Sequence, residues 1–92
     1  MKLSDAQLRS FHDDGFLILP QLFSIEEVEL IRAQLPTLFA ERCPQNFREK
    51  DSDVVRTAMG LHLRNDVFAR LVRHPRLLQP ALQILKEDVY IQ

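Results

Sequence analysis

Ninety-two residues, 46% of them hydrophobic and 27% charged, describe a single small globular domain rather than a disordered or membrane-spanning chain. No apolar run approaches the ~18 residues of a membrane span, and a formal net charge of −1 gives no overall attraction to nucleic acid or anionic lipid. The single cysteine, Cys43, excludes an internal disulfide, and residues 1–5 lack the apolar core of a signal peptide, so a reducing, cytoplasmic setting is expected.

Ser4 and Gln7 have the spacing of a capping box, and Leu3 can staple on Leu8, which predicts a helix over residues 5–14 with Leu8 and Phe11 inward. Asp13 and Asp14 then sit at the negative end of the helix dipole, a placement that costs a few tenths of a kcal/mol each when exposed. Gly15 suits a left-handed helix end. Residues 16–19 (Phe-Leu-Ile-Leu) are a short apolar run closed by Pro20 and read as a buried strand. Ser24 and Glu27 form a second capping box with Phe23 and Val28 as its staple. The helix that follows carries Val28, Ile31, Leu35 and Leu38 at helical spacing, with Pro36 expected to kink or weaken its last turns before Ala40.

Residues 41–53 are polar and aperiodic and read as a loop. Residues 54–62 are β-rich, with Val55, Thr57, Met59 and Leu61 on one face and Arg56, Ala58, Gly60 and His62 on the other. Asn65 can cap a third helix reaching His74, ended by Pro75. Residues 76–79 read as a turn, and Pro80 as the first position of a fourth helix over 81–86. Residues 88–92 begin another strand, so the chain reads as the first part of a larger fold.

Few side chains point to chemistry. His12 and Asp14 have the His-x-Asp spacing of an iron-binding strand, but on a helix residues two apart point about 200° from each other. His62 and His74 lie on different elements without a paired carboxylate. Arg64, Arg70, Arg73 and Arg76 form a basic row without the interleaved aromatics of a nucleic-acid surface, and read as a solvated helix face. Cys43 has neither a neighbouring His nor a helix N-terminus to activate it. Arg56 with His62, on the small-residue strand face, is the one constellation that stands out, and its plainer reading is an arginine salt-bridged at a sheet face. No catalytic residue and no metal ligand is therefore assigned, and cofactor-binding residues stay unknown.

The order of segments, from Leu3-Ser4-Asp5-x-Gln7 through Phe11-x-Asp13-Asp14-Gly15-Phe16-Leu17-Ile18-Leu19-Pro20 to Leu22-Phe23-Ser24-x-Glu26-Glu27-Val28, resembles the N-terminal portion of the phytanoyl-CoA dioxygenase family. Val67-Phe68-Ala69-Arg70-Leu71, His74-Pro75-Arg76-Leu77-Leu78 and Asp88-Val89-Tyr90 continue the likeness, leaving out only the loop at 41–53. The family comprises Fe(II)- and 2-oxoglutarate-dependent oxygenases on a double-stranded β-helix.

The resemblance implies that residues 1–92 are an α+β segment: the N-terminal helices and first strands of an incomplete jelly roll. It implies Fe(II) and 2-oxoglutarate for the complete hydroxylase or halogenase of a small molecule. It also implies that the His-x-Asp pair, the distal His and the Arg that holds 2-oxoglutarate all lie beyond Val89, so none of them is in this chain. The partner expected is the rest of the oxygenase domain, or self-association through exposed strands, with neither nucleic acid nor membrane. The alternative from a different class is a stand-alone helical protein-interaction module.

Overall fold

A computed structural model describes residues 2–91. Its elements in chain order are α1 (Asp5–Asp14), α2 (Ile25–Arg32), α3 (Leu35–Ala40), β1 (Asn46–Arg48), β2 (Val55–Ala58), α4 (Leu61–Arg64), α5 (Asp66–Leu71) and α6 (Pro75–Leu85). Helices accompanied by a small antiparallel sheet make this an α+β chain. Among the described residues no helix is long and apolar enough to cross a membrane. The chain divides into two compact units, one of residues 1–22 with 73–92 and the other of residues 23–72.

In the first unit α1 occupies the predicted residues for the predicted reason. Ser4 Oγ accepts from the Gln7 amide at 3.1 Å, while Gln7 Oε1 accepts from the Ser4 amide at 2.9 Å. Gly15 closes the helix at φ +81°, its amide donating to the Phe11 carbonyl at 2.8 Å. Leu3, just outside the cap, is buried.

Helix α6 departs from expectation. It begins at Pro75, not after Pro80, because His74 caps it: His74 Nδ1 accepts from the Arg76 amide at 3.1 Å, and Pro75 at the first helical position loses nothing by lacking an N–H. Pro80 therefore lies inside the helix, where it has no amide to offer the Arg76 carbonyl, and its buried ring is part of the core. Lys86, left-handed at φ +59°, ends α6 where glycine is the usual residue.

Residues 16–19 form no strand, and neither do residues 88–91; Gln92, the last residue of that second expected strand, lies outside the described residues. A strand exists only with a ladder partner. Among the described residues none makes a backbone hydrogen bond to 16–19.

In the second unit Ser24 Oγ accepts from the Glu27 amide at 3.1 Å and Glu27 Oε1 from the Ser24 amide at 2.8 Å, so α2 starts as predicted. The single helix expected to run on to Ala40 is broken rather than kinked. Arg32, the last residue of α2, is the residue four before Pro36, whose ring would strike its carbonyl. Pro36 instead sits in the first turn of α3, which buries Leu38.

The loop expected at 41–53 contains β1, which pairs with β2 through Asn46↔Ala58, Phe47↔Thr57 and Arg48↔Val55. Arg56 is the extra residue of a bulge. The bulge shifts the alternation, so Arg56 and Thr57 are both exposed and Val55 and Ala58 half-buried, which undoes the two-face pattern expected for 54–62. Gly60, at φ +65°, then turns the chain into α4. Asn65 caps α5 as expected, its Oδ1 accepting from the amides of Val67 and Phe68 at 2.8 and 3.1 Å, but the helix stops at Leu71. The other half of the same amide, Asn65 Nδ2, donates to Gln34 Oε1 at 3.2 Å, and Gln34 Nε2 donates to the Leu30 carbonyl at 3.2 Å.

Candidate functional site

The last carbonyls of a helix have no partner within the helix and must find donors elsewhere. At the end of α3 three side chains supply them. Asn46 Nδ2 donates to the carbonyls of Leu38 and Glu41 at 2.7 and 3.0 Å. Arg48 Nη2 donates to Phe39 O at 2.6 Å and Glu41 O at 3.2 Å, while its Nη1 reaches Asp53 O at 2.6 Å. Arg64 adds bonds to Leu38 O and Met59 O, both at 3.2 Å, to Asn46 Oδ1 at 3.0 Å and to Glu41 Oε2 at 3.5 Å. Two guanidinium charges at the negative end of a helix are also well placed for its dipole.

This is the densest polar cluster of the described residues, and its chemistry is that of a fastener. It offers donors already committed to carbonyl oxygens and no activated base or nucleophile. The Arg64 side chain is only 13% exposed. Beside it opens a polar cleft of about 510 Å³ lined by Gln34, His62, Asn65 and Asp66 among others.

The residues singled out by sequence are dispersed. His12 is exposed on α1, its ring edge-on to Phe11 with centroids 5.8 Å apart. Asp14 is exposed and accepts from Ser10 Oγ at 3.2 Å. His74 is the cap of α6. His62 is half-buried on α4, so the expected pairing with Arg56 along one strand face is not formed: Arg56 stands exposed at the bulge of β2. Cys43 is half-buried in a shallow pocket of about 410 Å³ shared with Arg42, Pro44, Asn46 and Arg48.

The basic row does not behave as one solvated face. Arg70 and Arg73 are exposed, whereas Arg64 belongs to the α3 fastener and Arg76 Nη1 donates to the Leu22 carbonyl at 2.8 Å. Nothing in the sequence distinguishes Arg64 from its neighbours, and Asn46 and Arg48 lie within the polar, aperiodic residues 41–53, where no pattern announces β1.

The Asp53 carboxyl is electrostatically perturbed. Arg42 grips Asp53 with both terminal guanidinium nitrogens, each at 3.2 Å, and that hydrogen bonding, followed by the charge of Arg42, holds the Asp53 carboxyl below its usual value.

Residues 11–92 match the family model described as phytanoyl-CoA dioxygenase (PhyH). The chain belongs to that family. Among similar proteins, ectoine dioxygenase of Bordetella bronchiseptica is 38% identical over 93 residues, covering 97% of this chain and 30% of that protein. Ectoine dioxygenase of Streptomyces avermitilis is 36% identical, with 97% of this chain and 32% of that protein covered. L-proline trans-4-hydroxylase of Streptomyces griseoviridis is 37% identical, with 97% and 33% covered. The chain thus spans about a third of the length of the curated relatives it matches.

The dioxygenase relatives imply iron and 2-oxoglutarate for a complete enzyme of the phytanoyl-CoA dioxygenase family, and the described residues do not fit the iron. They contain no group of three His, Cys, Asp or Glu side chains able to hold a metal ion. His12 and Asp14 diverge on their helix, and the arginines that could meet a dicarboxylate deeply, Arg48 and Arg64, already donate to carbonyls.

Proposed function

We propose that residues 1–92 are the N-terminal segment of a phytanoyl-CoA dioxygenase-like domain, a cytoplasmic Fe(II)- and 2-oxoglutarate-dependent oxygenase that hydroxylates or halogenates a small molecule. In this reading the segment contributes outer helices and first strands to a jelly-roll core, and the residues that hold iron and 2-oxoglutarate belong to the part of the domain outside it. The segment alone is a scaffold without activity. The observation that carries this is the family match over residues 11–92, made by a chain that spans only about a third of relatives named as a dioxygenase and a hydroxylase.

The test is a chimera in which this chain replaces the matching segment of the Bordetella ectoine dioxygenase. Ectoine-dependent consumption of 2-oxoglutarate by the purified, iron-loaded chimera is the result expected. A folded chimera that binds iron yet consumes no 2-oxoglutarate with ectoine, while the unaltered relative does, would count against an equivalent role for this chain.

A further inference from the structure

Within the first unit, α6 holds residues 3–22 at both ends. Arg76 donates to the Leu22 carbonyl, and the Gln83 side chain bonds both backbone groups of Leu3. Arg76 and Gln83 are seven residues apart, which is two helical turns or about 10 Å, so they stand on the same side of α6. Between these two points runs α1, of which no residue is buried and only Leu8, Phe11, Gln7 and Ser10 are half-buried. An element with so little burial opens at low free energy. The two ends are built differently. Beside Leu22 lies the turn at Pro20 and Gln21, with Gln21 at φ +56°. After a turn proline a positive φ is normally supplied by glycine or asparagine, and a glutamine stays there only while surrounding contacts hold it. At the other end a cavity of about 400 Å³, lined by Lys2, Gln79, Leu82 and Gln83, opens beside the clasp on Leu3 and gives water room to compete for the Gln83 amide.

We infer that residues 3–19 form a strap that opens as one body, with the Arg76–Leu22 bond as its fixed end, the Pro20–Gln21 turn as its hinge and the Gln83–Leu3 clasp as its latch. Closure strains the hinge at Gln21 and opening relieves it, so the two latch bonds and the burial of Leu3 are what keep the strap shut. Opening frees the Gln83 amide and carries Leu3 into water. A ten-residue helix is marginal by itself in water, so α1 also loses its own hydrogen bonds whenever the strap is open. The device belongs to the first unit alone and does not depend on the chain being part of an oxygenase.

Amide hydrogen exchange of the 92-residue chain, followed residue by residue, tests the strap. The α1 amides from Leu8 to Asp14 are expected to share one opening constant, about tenfold or more above that of the β1–β2 ladder in the second unit. Gln83→Ala should raise the α1 constant about thirtyfold, for two lost bonds, and leave the β1–β2 amides as they were. Gln21→Pro, which cannot take φ +56°, should also raise it, because the hinge can no longer close. Equal acceleration of α1 and the β1–β2 ladder in Gln83→Ala would make Gln83 a support of the whole fold and overturn the strap. Alpha-helical amides that open one at a time from the ends of α1 would overturn it too, and an unchanged α1 in Gln21→Pro would remove the hinge and the inference with it.

Discussion

Gln83 holds Leu3 by a two-point clasp: its Oε1 accepts from the Leu3 amide at 2.7 Å and its Nε2 donates to the Leu3 carbonyl at 2.9 Å. A primary amide here imitates the paired donor and acceptor of a neighbouring strand, across 80 positions of sequence. It fixes the chain just before the Ser4 cap and explains how Leu3, near the start of the sequence, is only 3% exposed.

Gln83→Ala is accordingly expected to cost about 2 kcal/mol, from two partly buried bonds of about 1 kcal/mol each. Gln83→Glu should restore little, because a carboxylate accepts from the amide but faces the Leu3 carbonyl with negative charge. Urea denaturation midpoints check both; wild-type midpoints would show the clasp to be energetically idle.

Arg64→Ala should be the most damaging single change in the α3 fastener, about 2 to 3 kcal/mol, since it leaves partly buried acceptors without one of their donors. Arg64→Lys should recover less than half of that, because one ammonium cannot reproduce a planar fork that serves Leu38 O, Met59 O and Asn46 Oδ1 together. The comparison separates a fastener from a mere surface charge, for which the lysine variant would match wild type.

At the start of α2, Ser24→Ala is expected to cost about 1 kcal/mol and Glu27→Ala somewhat less. Thermal melts of both variants measure it, and Ser24→Asp, an equally good cap, should melt with wild type.

The Arg42–Asp53 pair gives a pH signature of known sign. The folded-state value of Asp53 lies below its ordinary 3.8, so its contribution is fully present above that value and is lost as pH falls through the lower, folded one. Both partners are largely exposed, so the effect is small and weakens with salt. Below pH 4 the wild type should lose stability slightly faster than Asp53→Asn, and parallel curves would dismiss the pair.

Anaerobic calorimetry of the 92-residue chain with Fe(II) is expected to show no stoichiometric binding, because the described residues place no three ligands together. A one-to-one site of micromolar affinity would refute that placement.

What the sequence disclosed was whatever chemistry is local. The boxes at Ser4 and Ser24, the left-handed Gly15 and the Asn65 cap are each set by residues within three or four positions, and all formed as read. The family likeness came from the order of those same segments. Long-range partners were not legible. Asn46 and Arg48 have no periodicity until they meet the carbonyls of α3, and the bulge at Arg56 depends on the register of β1. The start of α6 was misplaced because two prolines competed for it, and the decisive cap was an imidazole, outside the usual capping residues.

The amide of Asn65 has a consequence for how the second unit comes apart. Its oxygen starts α5, while its nitrogen holds Gln34, which is bonded in turn to the last turns of α2. One rigid plane thus couples the beginning of one helix to the end of another, and rotating it to satisfy either side alone breaks the other. Aspartate would cap α5 equally well but has no proton to give Gln34, so it would uncouple the two. Fraying of α2 and α5, followed residue by residue, is therefore expected to occur in concert with asparagine at position 65 and separately with aspartate.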